Sequence, residues 1–251
     1  MIFDCDTHMS PYRNFDGAVN VAELDERLEK AGVDRALVWL LPQGVEDVSE
    51  SNRYIYDSVR NYPRFAAPFG WANVREGEQK AIDDARICLQ EYGFKGVKLN
   101  GAQNDYKIDS APAVKVCEEI ARNNGIIAFH IGADFPDNTS AARAANVARA
   151  FPETIMLMIH MGGAGEPDFS DDVISAAKEC GNMMLVGSSI HIDRVKNAIE
   201  QLGSGRVMFG SDEPFVDVRT RLVEYADMLR AFSAKERDDV MGQNANRIFG
   251  L

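Results

Sequence analysis

Short apolar runs alternate with longer amphipathic segments along almost the whole chain. The runs at 1–5, 34–41, 65–71, 94–99, 125–130, 154–160, 182–187 and 206–209 have the length and composition of buried strands. Between and after them, 21–31, 49–61, 76–92, 112–124, 140–150, 171–179, 193–202 and 219–231 carry apolar residues at helical spacing. Ser140 and Asp193 stand where N-caps belong, and Gly32, Gly93, Gly125 and Gly203 follow helices where a left-handed residue ends the last turn. Strands that are apolar throughout, alternating with helices, predict a parallel sheet covered on both faces. Eight such repeats in 251 residues predict a single (β/α)8 TIM barrel over residues 1–251, with an extra helix at the C-terminus.

Polar residues of one chemical kind recur where these runs stop. Asp6-Thr7-His8 follows the first run, His130 ends the fifth, His160 the sixth, and Asp212 follows the eighth. Residues two apart on an extended chain point to the same side, so Asp6 and His8 can reach one ion. In a (β/α)8 barrel the active site lies at the C-terminal ends of the strands. Three imidazoles and two carboxylates gathered there suit one divalent ion, zinc first, with manganese or magnesium as harder alternatives. Each residue has a plainer reading alone: a surface turn, a hydrogen-bonded edge histidine, a helix cap. Four coincidences at strand ends favour a shared site.

Composition narrows the classes. Hydrophobic residues make up 45% and charged residues 26%, an ordinary globular balance. The formal net charge of -12 repels phosphate backbones, so neither nucleic acid nor an anionic membrane is expected as a partner. No apolar run approaches the length that spans a bilayer, and no basic-then-apolar leader precedes the first strand. Cys5, Cys88, Cys117 and Cys180 are far apart and read as buried free thiols, consistent with a cytoplasmic location.

The chain resembles the amidohydrolase superfamily. The resemblance rests on the D-x-H of strand one, the histidine of strand five, His160-Met161-Gly162-Gly163, Gly210-Ser211-Asp212-Glu213-Pro214-Phe215, and the terminal Gly-x-Asn-Ala-x-Arg-Ile-Phe-Gly-Leu from Gly242. It is nearer to the branch that holds aminocarboxymuconate-semialdehyde decarboxylase, resorcylate-type decarboxylases and lactone hydrolases. The resemblance implies that Asp6, His8, His130 and Asp212 hold the metal, with His160 beside it as a catalytic or substrate-polarising group. Many members have histidine where this chain has Asp6, which weakens the case for zinc over manganese or magnesium. Binuclear relatives carry a carboxylated lysine on strand four, where Lys98 lies. Lys98 is otherwise an anchor for a substrate carboxylate or a solvated strand end. Arg13, with Tyr12 and Phe15, and Trp71, with Asn73, either line an aromatic and cationic pocket or lie on the surface. His191 is either a substrate contact or structural. A homodimer is expected from the resemblance alone.

The first functional expectation is a hydrolase that acts on a small carboxylate-bearing lactone, ester or amide through metal-activated water. In that reading Asp212 carries the proton and His160 supports the developing charge. The alternative is a non-oxidative decarboxylase of a small aromatic or unsaturated acid, built from the same residues. A non-catalytic metal-binding barrel is a third class.

Overall fold

A computed structural model describes residues 1–11, 17–41 and 47–251. Eight strands follow one another in a single sheet in chain order: β1 (Phe3–Met9), β2 (Arg35–Leu40), β3 (Ala67–Trp71), β4 (Gly96–Leu99), β5 (Ile126–Gly132), β6 (Met156–Ala164), β7 (Met183–Val186) and β8 (Val207–Met208). The α-helices are α1 (Val21–Ala31), α2 (Val48–Val59), α3 (Glu78–Arg86), α4 (Ala111–Arg122), α5 (Pro136–Thr139), α6 (Ala141–Ala150), α7 (Ser170–Glu179), α8 (Ile192–Leu202), α9 (Val218–Met228), α10 (Ala234–Asp238) and α11 (Asn244–Phe249). This is the (β/α)8 barrel expected from the alternation, and α11 is the extra C-terminal helix.

Contacts along the chain divide it into two compact units, Met1–Pro68 with Gly187–Leu251, and Phe69–Val186. In the first, β1 pairs in parallel with β2, and Leu37 and Val38 of β2 pair with Ala67 and Pro68 of β3. The other edge of β1 is taken by the segment after β8. The Cys5 amide donates to the Phe209 carbonyl at 3.0 Å, the Asp212 amide to the Asp6 carbonyl at 2.9 Å, and the His8 amide to the Glu213 carbonyl at 2.8 Å. In the second unit, Phe69–Trp71 pairs with β4, and parallel pairing continues through β5 and β6 to β7. Every residue of β4 and β7 is buried, as strands covered on both faces require.

Local chemistry sets the element boundaries. Asn20 and Glu23 form a reciprocal capping box at the start of α1, Leu24 and Leu28 are its buried residues, and Gly32 ends it in the left-handed region. Ser140 caps α6 by accepting the Arg143 amide, as its sequence position suggested. Asp193 does not cap α8. His191 does, and Asp193 lies in the first turn, where its charge still suits the helix dipole. At the end of α4 it is Asn124, φ +53°, that turns left-handed. Gly125 serves close packing instead, since a Cβ there would press on Leu89 and Ile120. The long helix expected over 76–92 is broken. Gly77, φ +121°, separates a short 3-10 turn from α3, and the last turn widens into a π-helix over Ile87–Glu91.

The four cysteines are free and buried, and burial pushes the Cys88 and Cys117 thiols up. Among the described residues no helix is long and apolar enough to cross a membrane.

Candidate functional site

In the first unit, β1 carries Asp6 and His8, and Asp212 follows β8. All three are buried. His8 Nδ1 lies 2.8 Å from the Leu40 carbonyl oxygen. A carbonyl only accepts, so Nδ1 holds the ring proton and the Nε2 lone pair faces inward in the neutral imidazole. His8 Nε2 stands 3.3 Å from Asp6 Oδ1 and 3.2 Å from Asp212 Oδ1, and the Trp39 indole N–H donates to it at 3.1 Å. Two carboxylate oxygens and an imidazole nitrogen converge only if positive charge lies among them: a second ring proton or a cation. Ligand atoms at about 2.1 Å from one ion, at right angles, stand about 3 Å apart. The two separations that His8 Nε2 makes are of that size, which suits a divalent ion among these groups.

Hydrogen bonds fix the two carboxylates from outside. Ser188 Oγ donates to Asp6 Oδ2 at 2.5 Å, and the Ser189 hydroxyl donates to Asp212 Oδ2. Asp4 Oδ1 accepts the amides of Ser211 at 2.9 Å and Asp6 at 3.2 Å, tying β1 to the segment that carries Asp212. Burial pushes the Asp4 carboxyl up to about 7, against these hydrogen bonds, which pull it down. Phe215, partly exposed, meets the His8 ring edge-on at 5.4 Å.

In the second unit, the His130 and His160 rings lie 4.8 Å apart, nearly perpendicular. His130 Nε2 pairs with Asp134 Oδ2 at 3.0 Å. Burial raises the Asp134 carboxyl, but the hydrogen bond and charge of His130, the Phe135 amide and the charge of His160 outweigh it and hold it below the usual carboxylate range. Lys98 is 1% exposed, and its Nζ lies 5.2 Å from the centre of the Trp71 ring. The Trp71 indole N–H donates to Asn104 Oδ1 at 3.0 Å. A solvated strand end is therefore not what Lys98 is.

The expected strand ends are strand irregularities. β1, β5 and β6 each run on beyond Asp6, His130 and His160. Pairing register slips between Asp4 and Thr7 and again between His130 and Gly132. His160, Met161, Ser189 and Asp212 all have positive φ, at +65°, +40°, +45° and +72°. Backbone held in this sparsely populated region is costly and concentrates at functional sites.

Asp6, His8 and Asp212 thus meet in one unit, His130 and His160 in the other, and Lys98 with Trp71. His191 joins none of these. Its side chain is 74% exposed beside Asp193. Asn73 caps the short turn after β3 through the Arg75 amide. Arg13, with Tyr12 and Phe15, lies outside the described residues. Sequence reasoning missed Asp4, Trp39, Asp134, Ser188 and Ser189, none of which belongs to a recognisable spacing.

Several solved structures share this fold over the full chain. One is 2,6-dihydroxybenzoate decarboxylase from Rhizobium, with TM-score 0.77, 13% identity, and 99% of this chain and 98% of that one covered. Another is 5-carboxyvanillate decarboxylase from Sphingomonas paucimobilis, with TM-score 0.77, 15% identity, and coverage of 100% and 99%. A third is dihydroxybenzoic acid decarboxylase from Polaromonas, determined with manganese and the inhibitor 2-nitroresorcinol, with TM-score 0.73, 16% identity, and coverage of 100% and 97%. No curated protein matches the chain by sequence.

These neighbours overturn the expectation of a hydrolase as the main reading, because all three are decarboxylases. The physical reason is that the motifs offer only candidate donors for an ion. Those donors serve hydrolysis and carbon–carbon cleavage alike. The amidohydrolase family profile matches residues 4–251, and the chain belongs to that family.

Proposed function

We propose that this protein is a metal-dependent, non-oxidative decarboxylase of a small aromatic hydroxy acid. The observation that carries the reading is the convergence of Asp6 Oδ1, Asp212 Oδ1 and His8 Nε2, at separations that suit an ion. The decarboxylase names of the structural neighbours support the reaction class.

Asp6, His8 and Asp212 would hold the ion, and the family resemblance adds His130. Two carboxylates in this set favour a hard divalent ion. Manganese, which the Polaromonas neighbour binds, is therefore proposed ahead of zinc. When bound, the ion would supply the positive charge that holds an acidic substrate.

Asp212 delivers a proton to the ring carbon that bears the carboxylate. The carbon–carbon bond then breaks, its electron pair returns to the ring, and CO₂ leaves. Asp212 is left as the carboxylate and regains its proton from water. His160 donates a hydrogen bond to the substrate oxygen on which charge gathers. Lys98 is proposed as the cationic anchor for the acid, with Trp71 packed against it. A buried ammonium on an aromatic face is suited to that task, because its charge is little screened there.

The test is direct. The protein is purified without chelator, its metal content is measured, and the manganese-loaded form is offered 2,6-dihydroxybenzoate, 5-carboxyvanillate and a panel of related hydroxybenzoates. Release of CO₂ with the matching arene is the expected result. Acid release without CO₂ from lactones or amides, or no turnover of the panel, overturns the reading.

A further inference from the structure

We infer that Ser188 and Ser189 are positioning residues that set the two metal-binding carboxylates, and that a clamp on the Gly187 carbonyl sets the serines. The inference rests on the metal-binding reading above and adds to it the device that aims the ligands.

The two carboxylates are treated alike. In each, Oδ2 accepts a serine hydroxyl and Oδ1 faces His8 Nε2: Ser188 serves Asp6 at 2.5 Å and Ser189 serves Asp212. A carboxylate is free to rotate about its last bond. Fixing one oxygen fixes where the other points, and a ligand held in orientation loses less freedom when the ion arrives.

Consecutive residues on an extended chain point to opposite sides. Ser188 and Ser189 nevertheless reach the same cluster, because Ser189 is left-handed with φ +45°. That conformation is uncommon for serine, and here it brings two neighbouring hydroxyls to bear on one site.

The segment is anchored just before the pair. The Gly187 amide donates to the Met208 carbonyl at 3.1 Å. The Gly187 carbonyl accepts Arg221 Nη2 at 2.7 Å and the Tyr225 hydroxyl at 2.8 Å. Arg221 and Tyr225 are both buried on α9. A Cβ at Gly187 would collide with the Tyr225 hydroxyl, so the close approach of the clamp requires glycine there. The chain of support therefore runs from α9 through Gly187 to the serines and from them to Asp6 and Asp212.

Serines that only satisfied buried carboxylates would affect folding and not affinity. Ser189→Gly separates the two roles. Glycine adopts the left-handed backbone without strain, so the fold is kept while the hydroxyl is lost. Manganese affinity is measured by competition with a calibrated chelator on wild type, Ser189→Gly, Ser188→Ala and Tyr225→Phe, with metal-free melting temperatures alongside. Ser189→Gly is expected to melt no lower than wild type yet to bind manganese about 10–100-fold more weakly, the usual effect of losing a partner that orients a ligand. Ser188→Ala should weaken binding to the same degree, and Tyr225→Phe less, since Arg221 still holds the Gly187 carbonyl. Affinities of both serine variants within twofold of a tightly binding wild type would overturn the inference and leave the metal reading standing. A wild type that binds neither manganese nor zinc overturns the metal reading, and the inference with it.

Discussion

In the first unit, two carboxylates and one imidazole nitrogen crowd together, and hydroxyl groups hold the outer oxygen of each carboxylate. In the second, two imidazoles meet ring to ring, one histidine leans on an aspartate, and a lysine lies on the face of a tryptophan. The first group is rich in negative charge and short of protons. The second is rich in groups that can carry them. That contrast is the ground on which the proposal gives cation binding to Asp6, His8 and Asp212 and the anionic substrate to Lys98 and His160.

The sharpest way to break this division is Asp6→Ala. It removes one of the two carboxylates and should weaken manganese binding by more than the roughly 100-fold that loss of an orienting partner costs. Elemental analysis should then find well under one ion per chain. A full complement of metal in that variant would mean that Asp6 is not a ligand. Next is Asp212→Asn, which keeps an oxygen for the ion but cannot carry the proton. With metal loaded, kcat should fall by about 10²–10⁴. Turnover within threefold of wild type would pass the proton role to His160.

Lys98→Met tests the second unit. Metal content should stay unchanged while kcat/KM for the acid falls by about 10–100-fold, the loss of one hydrogen bond to a charged group. If instead the metal is lost, Lys98 belongs with the ion and the division between the units fails. The smallest effect is expected from His191→Ala. Losing this side chain's cap on α8 should cost about 0.5–2 kcal/mol of stability, while kcat/KM should stay near wild type. A large loss of activity would return His191 to the substrate.

Much of this was legible in the chain, for identifiable reasons. Asp6 and His8 could be paired because a strand repeats every two residues, and the side chains do meet. The eight strands could be placed because buried parallel strands are apolar throughout. Their ends could not, since hydropathy stops at the first polar side chain while the backbone ladder runs on to Met9, Gly132 and Ala164. Ser188 and Ser189 escaped notice because alternation sends neighbours apart, and only a left-handed backbone defeats it. Asp134 comes four residues after His130 and reaches back across a turn that no spacing rule describes. The reaction class was misjudged because the motifs offer candidate donors for an ion, whereas the bond that breaks depends on what the pocket holds.

The tie between Asp4 and Ser211 joins residues 207 positions apart in the chain. During synthesis, at about 5–20 residues per second, the first strand would wait roughly 10–40 s for the segment that completes it. Until then Asp6 and His8 have no Asp212, and a nascent chain has only part of the proposed site. Such distant contacts also slow folding, because the loop must close before any contact rewards it. On the proposed metal reading, capture of the ion would follow completion of the chain, and a loaded ion would report that β1 has met the segment after β8.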